Sequence, residues 1–170
     1  MNTTPRRYVV MGVSGCGKSG IGQRLATALG MTFVEGDTWH SAANVAKMAA
    51  GIPLTDADRA DWLATLREKI AAARTSSTGL VLSCSALKRR YRDLLREGDA
   101  NLYFIELDGP RELIEQRMRV RLGHFMPTSL LDSQFRDLEP LQADEQGLRV
   151  DITDTPDAIT QTILEQLTAR

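Results

Sequence analysis

Five short apolar runs recur along the chain, at residues 8–13, 32–34, 80–84, 102–107 and 148–152. The third and fourth are nearly continuous in apolar residues over the length of a strand, which predicts strands covered on both faces. Between and after these runs the apolar spacing becomes helical. It predicts helices over 18–29, 42–50, 56–73, 86–96, 111–121, 129–138 and 156–168. Local chemistry marks several boundaries. Thr55 ahead of Asp56, with Asp58 at the third helical position, approximates a capping box. Thr155 followed by Pro156 reads as an N-cap and a first-turn proline, whose missing N–H costs nothing there. Gly30, Gly51 and Gly98 each follow a predicted helix, where a left-handed residue would end it.

Strands that alternate with helices imply right-handed crossovers and a parallel sheet, hence an α/β fold. No internal repeat, low-complexity run or linker interrupts residues 1–170, and the length suits one domain. Two helices fall between the second and third strands, and an extra one between the fourth and fifth. Insertions of this kind overhang the carboxyl ends of the strands, where ligands bind.

Composition narrows the function. Lys and Arg total 21 against 22 Asp and Glu, a net charge of -1, which argues against a partner held by bulk charge such as nucleic acid. A local basic pocket remains compatible with that balance. Cys16 and Cys84 show neither metal-ligand spacing nor a paired framework, as expected in a reducing, cytoplasmic setting. The run at 8–13 is too short for the apolar core of a signal peptide, and no run approaches the length of a membrane span.

Gly12-Val13-Ser14-Gly15-Cys16-Gly17-Lys18-Ser19 matches G-x-x-x-x-G-K-[ST] in full, with a strand before it and an amphipathic helix after it. Glycines let backbone N–H groups turn inward around phosphate oxygens, and the helix N-terminus adds partial positive charge. Lys18 is expected to reach the β- and γ-phosphates of ATP, and the Ser19 hydroxyl to ligate Mg²⁺. The motif predicts a P-loop NTPase fold of three layers on a five-stranded parallel sheet. It does not separate a kinase from a GTPase or another ATPase. Cys16 reads either as a small residue whose backbone binds phosphate or as a thiol activated by the helix N-terminus, the first being favoured.

On the acceptor side, the second strand ends in Glu35-Gly36-Asp37. In extended backbone, residues two apart point the same way, so both carboxylates are expected to face the γ-phosphate. Asp37 is assigned the acceptor hydroxyl and Glu35 the metal side, against the alternative of a polar strand end capping the next helix. Ser85 and the cations Lys88, Arg89, Arg90 and Arg92, with Tyr91, follow the third strand. Cations in a first helical turn oppose the helix dipole, which favours an anion site over a solvated basic face. Arg117 and Arg121 share a helix face and run into Gly123-His124-Phe125-Met126-Pro127, as expected of a helical lid over about 119–138 that closes on the phosphoryl group. His40 and His124 stand without a paired nucleophile.

Taken together, these residues resemble the gluconate kinase family of small P-loop kinases, relatives of shikimate and nucleoside monophosphate kinases. The resemblance spans nearly the whole chain. It rests on Met11-Gly12-Val13-Ser14-Gly15 with Gly17-Lys18-Ser19, Gly36-Asp37 with His40, and Asn44 with Lys47-Met48. It continues through Gly51-Ile52-Pro53-Leu54-Thr55-Asp56, Asp58-Arg59, Trp62-Leu63, Cys84-Ser85-Ala86-Leu87-Lys88, Tyr91-Arg92 and Gly123-His124-Phe125. It implies transfer of the γ-phosphoryl group of ATP to the 6-hydroxyl of D-gluconate, with acceptor-binding helices inserted over about 38–76. Residues 12–19 would hold ATP and Mg²⁺, Asp37 would activate the hydroxyl, and His40, Lys88, Tyr91 and Arg92 would bind gluconate. Arg121 would be the lid arginine, and the loop carrying Thr153 and Pro156 would pack on adenine. A homodimer is also implied. The family's usual Asp-Gly-Asp is Glu35-Gly36-Asp37 here, which alters the metal side and keeps Asp37. Other acceptors, such as shikimate or a nucleotide, and a binding module that transfers no phosphate, are the competing readings.

Overall fold

Alternating side chains give both faces of the sheet something to bury. In the computed structural model, which describes residues 6–120 and 130–169, β1 (Arg7–Met11) sends Tyr8 and Val10 into one core and Val9 and Met11 into the other. The chain continues through α1 (Lys18–Leu29), β2 (Thr32–Glu35), a single 3₁₀ turn (Gly36–Trp39), α2 (Ala42–Ala49), α3 (Asp56–Thr75) and β3 (Leu80–Ser83). It ends through α4 (Arg89–Arg96), β4 (Tyr103–Asp108), α5 (Arg111–Arg119), α6 (Leu130–Asp137), β5 (Gly147–Asp151) and α7 (Pro156–Thr168). The five strands pair in the order β2-β3-β1-β4-β5, all parallel, with Val9 opposite both Leu82 and Phe104.

Helices cover both faces, as a parallel sheet requires. On one side Ile21 and Leu25 of α1, Ile114 of α5, Leu131 of α6 and Ile159 and Ile163 of α7 pack on Val10, Ile105 and Val150. On the other, Trp62, Leu66 and Ile70 of α3 and Leu95 of α4 pack on Val9, Leu82 and Phe104. A third, small cluster joins Met48 of α2, Leu54 and Leu130 of α6. β1 lies at the centre, and the chain turns to one side of it for β2 and β3 and to the other for β4 and β5. Its carboxyl end therefore opens the crevice where such folds bind ligands.

The capping signals act as expected at α3 and α7. The Thr55 hydroxyl oxygen accepts from Asp58 N–H and the Asp58 carboxylate accepts from Thr55 N–H, a complete capping box, while Thr155 caps α7 ahead of Pro156. Gly30 and Gly51 take positive φ of 67° and 77° after α1 and α2. Gly98 does not: α4 ends on Glu97 in the right-handed region, and what position 98 requires is space. A Cβ there would stand 2.6 Å from the Arg67 carbonyl oxygen.

The fourth helix begins at Arg89 and not at residue 86. Ala86 has φ +44°, which no right-handed helix accommodates, and its carbonyl accepts from Arg92 Nη1 at 2.9 Å. The segment 84–88 is thus an irregular strand end folded around a buried arginine. Among the described residues no helix is long and apolar enough to cross a membrane.

Candidate active site

The P-loop leaves β1 at Met11 and enters α1 at Lys18. Gly12, Gly15 and Gly17 hold φ of 146°, 80° and 97°, values that side-chain-bearing residues rarely adopt. A Cβ on Gly15 would approach Met118 Cγ to 2.5 Å, so helix α5 presses on the back of the loop. Gly12 N–H bonds the Ser85 carbonyl at 3.2 Å, which ties the loop to the end of β3. The Lys18 ammonium donates to Val13 O at 3.0 Å. Ser14 N–H donates to the side-chain oxygen of Gln134 in α6 at 2.5 Å, a contact across 120 residues that no local pattern announces.

Cys16 is buried, and burial pushes its thiol pKa up against the opposing pull of Lys18 and its backbone hydrogen bonds. The thiol therefore stays protonated and packs against the core, which removes the basis for an activated thiol. Burial likewise lifts the Cys84 thiol to about 12.

Ser19 donates its hydroxyl to Glu35 Oε2, and Glu35 Oε1 accepts from Ser83 Oγ at 2.6 Å. The expectation that Glu35 and Asp37 share a side through extended backbone is not met. The strand stops at Glu35, and Gly36 opens the 3₁₀ turn that carries Asp37. Gly36 is forced by proximity: a Cβ would lie 2.1 Å from the Ser83 carbonyl oxygen. The turn still delivers Asp37 into a cleft that is also lined by Ser14, Lys18, His40 and Ser85. Met48, Leu54 and Leu130 roof this cleft, and Arg59 and Trp62 of α3 complete its wall.

His40 is oriented with care. Its ring stacks on Trp62, 4.0 Å between centroids and 19° from parallel. The amide nitrogen of Asn44 donates to the Asp58 carbonyl at 2.8 Å, which fixes the amide's direction, and lies 3.3 Å from His40 Nδ1. Nδ1 must then accept, so the ring proton resides on Nε2. Burial lowers the imidazole pKa, Asp37 pulls it up, and Arg59 pushes it down, with a net decrease. His40 is thus a neutral donor in the cleft.

The basic run after β3 is not the anion site expected of it. Arg92 is wholly buried, and its five N–H groups are all taken. They donate to Glu145 Oε1 and Oε2 at 2.7 and 2.9 Å, to the Ala86 and Leu87 carbonyls at 2.9 and 3.3 Å, and to Pro140 O at 3.5 Å. No donor is left for a ligand. Arg89 forms a two-pronged pair with Asp144, and Arg90 bonds Asp56. Lys88 lies 3.7 Å from Asp56, which also accepts from the Tyr91 hydroxyl. Tyr91 in turn accepts from Arg59 Nη1 at 2.8 Å, so it reaches the cleft through Arg59. Arg59 is the residue that reasoning from the basic run missed; position 59 reads locally as one more polar residue of a helix.

On the nucleotide side, Arg117 donates to Ile152 O at 2.6 Å and thereby holds the loop that follows β5. Thr153 is exposed on that loop and bonds Asp151, and Pro156 opens α7 behind it. Arg121 and His124 lie outside the described residues, as does most of the segment between α5 and α6.

A family model described as an AAA domain matches residues 8–141. The chain is 48% identical over 147 residues to the thermosensitive gluconokinase of Escherichia coli (strain K12), covering 85% of this chain and 78% of that protein. It is 45% identical over 169 residues to the gluconokinase of Gluconobacter oxydans (strain 621H), covering 99% and 95%. The crystal structure of a gluconokinase from Sinorhizobium meliloti 1021 superposes with a TM-score of 0.88 at 43% identity, covering 99% of this chain and 94% of that one. The chain belongs to the gluconokinase family. Within that family's P-loop kinase fold, Lys18 and Asp37 both line the cleft between the P-loop and α3.

The residues present suit a nucleotide-borne Mg²⁺. The Ser19 hydroxyl and the Glu35 carboxylate are hard oxygen donors already in contact beside the P-loop lysine. Among the described residues no three His, Cys, Asp or Glu side chains gather to hold a metal unaided. A cation carried by phosphates needs few protein ligands.

Proposed function

We propose that the chain transfers the γ-phosphoryl group of ATP to the 6-hydroxyl of D-gluconate, giving 6-phospho-D-gluconate and ADP. The observation that carries this reading is the shared cleft of Lys18 and Asp37 in a chain so similar to gluconokinases. The P-loop from Gly12 through Val13, Ser14, Gly15, Cys16 and Gly17 to Ser19 wraps the phosphates with backbone N–H groups, and Lys18 neutralises charge on the transferred group. Arg117 and the loop at Thr153 and Pro156 frame the adenine. Ser19, with Glu35 behind it, would hold a Mg²⁺ carried by the nucleotide, which would supply neutralisation of the phosphate charge when bound.

The chemistry needs a hydroxyl held in line with the γ-phosphorus. Among the described residues no side chain hydrogen-bonds the Asp37 carboxylate, which suits it to accept the proton of the 6-hydroxyl. The new O–P bond forms at that oxygen as the bond to the β-phosphate oxygen breaks, and the departing electron pair stays on ADP. His40 Nε2–H and the Ser85 hydroxyl hold neighbouring hydroxyls of the acceptor, with Lys88 and Tyr91 behind them. Residues about 38–76 serve as the acceptor-binding insert of a single domain; the lid read over about 119–138 falls partly outside the described residues, Arg121 included. A cytoplasmic setting fits the two protonated, unpaired cysteines, and a homodimer follows from the family resemblance.

A coupled assay of ADP release tests the reading, with D-gluconate, its epimers, shikimate and nucleoside monophosphates as acceptors. Saturable turnover with D-gluconate is expected. Turnover with another acceptor alone would overturn the assignment of the acceptor pocket. Asp37→Asn is expected to abolish turnover with ATP binding intact; a kcat within a few-fold of wild type would remove Asp37 as the base.

A further inference from the structure

We infer that Arg59 is the specificity-determining residue that recognises the carboxylate of the acceptor, and so restricts this cleft to sugar acids. The inference rests on the reading above that the cleft takes an acceptor hydroxyl against Asp37.

Two cations line the cleft among the described residues, Lys18 and Arg59. Lys18 belongs to the phosphate loop and bonds Val13 within it. Arg59 is 8% exposed, so its charge is largely withdrawn from water. A withdrawn guanidinium ordinarily has a hydrogen-bonded carboxylate. Here Asp137 Oδ2 stands 3.9 Å from Nη1, beyond hydrogen-bonding range. The hydrogen bond that Nη1 does make is to the neutral Tyr91 hydroxyl at 2.8 Å. Nε and Nη2 donate to no described residue. The charge is thus held in place but not satisfied.

The surroundings hold the fork still. The guanidinium carbon lies 5.3 Å from the centre of the Tyr91 ring, and the Tyr91 hydroxyl donates onward to Asp56. Asp56 is itself engaged by Lys88 and Arg90, so the acid nearest the Arg59–Tyr91 pair is already committed to other cations. A planar fork with free donors matches a carboxylate better than a hydroxyl or a lone oxygen. His40 and Asp37 line the same cleft, which places a hydroxyl-binding wall beside a carboxylate-binding one. An acyclic polyhydroxy acid with its charged group at Arg59 and its far hydroxyl at Asp37 satisfies both.

The test compares D-gluconate with D-gluconamide, in which a neutral carboxamide replaces the carboxylate, for wild type, Arg59→Gln and Arg59→Lys. Wild type is expected to prefer gluconate by about a hundredfold in kcat/KM, the size of a charge-assisted pair lost at a desolvated site. Arg59→Gln is expected to raise KM for gluconate by a similar factor, to change kcat little, and to erase that preference. Arg59→Lys keeps the charge without the fork and is expected to raise KM by about tenfold. Thermal unfolding and ATP binding, measured on each variant, identify one that does not fold. In that event the lysine variant decides. An unchanged KM in a folded Arg59→Lys, or a preference for gluconate that survives in Arg59→Gln, overturns the inference. Wild type that turns over neither compound overturns the proposed acceptor, and this inference falls with it.

Discussion

Trp62 donates its indole N–H to the Gly36 carbonyl at 2.8 Å while its ring stacks on His40. One residue of α3 therefore positions both the turn that bears Asp37 and the imidazole beside it. Trp62→Phe keeps an aromatic face for His40 and removes the donor, leaving a buried carbonyl unpaired at a cost of about 1–3 kcal/mol. The expected outcome is a lower unfolding midpoint together with a fall in kcat, because Asp37 follows Gly36 directly. Steady-state kinetics and a thermal melt on the same preparation check both. A melt that drops with kcat intact would show that the hydrogen bond serves only stability.

Gly36→Ala attacks the same turn from the other side. The added Cβ would stand 2.1 Å from the Ser83 carbonyl oxygen, a backbone atom of β3, which is paired on both sides, by β2 and β1, and cannot swing away. Either β2 separates from β3 or the 3₁₀ turn is displaced. The expected loss is ~3 kcal/mol or more, with turnover abolished even where the protein stays folded. Denaturant unfolding and the ADP-release assay measure the two effects separately.

The sheet and its helices were legible because each strand is a local run of apolar residues and most helix ends carry a cap. The P-loop was legible for the same reason: its function resides in consecutive backbone groups. The acceptor wall was less so. Arg92 sits in a basic run that reads as an anion site, but the Glu145 that neutralises it lies 53 residues further on. Nothing near position 92 signals that partner. Arg59 suffers the reverse error. Its neighbours in sequence are helix-capping and surface residues, and only the packing of α3 against the end of β3 and the 3₁₀ turn brings it to the cleft. Gln134, which meets the P-loop at Ser14, is hidden in the same way. Side chains whose partners come from distant segments require the fold before their roles can be assigned.

Lys18→Ala removes the charge that the P-loop presents to the phosphates. Among the described residues the ammonium bonds only a carbonyl of its own loop, so the fold loses little. The expected effect is a fall in kcat of about 10²–10³, the size reported by loss of a preorganised contact to developing charge. The unfolding midpoint is expected to stay close to wild type. Near-normal turnover would refute the assignment of the loop to phosphate transfer.

The Arg92–Glu145 pair makes a prediction about acid. Burial alone would raise the Glu145 pKa, but the hydrogen bonds from Arg92, from Gln142 N and from Arg96 outweigh it and hold the carboxyl at about 2, against an ordinary value of 4.5. A carboxyl depressed on folding stabilises the native state above its unfolded pKa. That contribution falls away as pH drops through the folded one. Stability from this source is therefore full above about pH 4.5 and is lost between there and about pH 2. Glu145→Gln removes the titrating group and leaves Arg92 buried without its anion, a change expected to cost ~3–5 kcal/mol at neutral pH. Denaturant midpoints at pH 7, 5, 3.5 and 2.5 are expected to show wild type and variant far apart at pH 7 and converging through the acid window. Curves that stay parallel would mean that Glu145 does not carry the acid sensitivity, and that the carbonyls around Arg92 hold the strand end by themselves. KM for the acceptor in the folded variant at pH 7 separates a structural role for Arg92 from an acceptor-binding one. A value close to wild type is expected, because Arg92 pins the segment behind Ser85 and does not itself line the cleft.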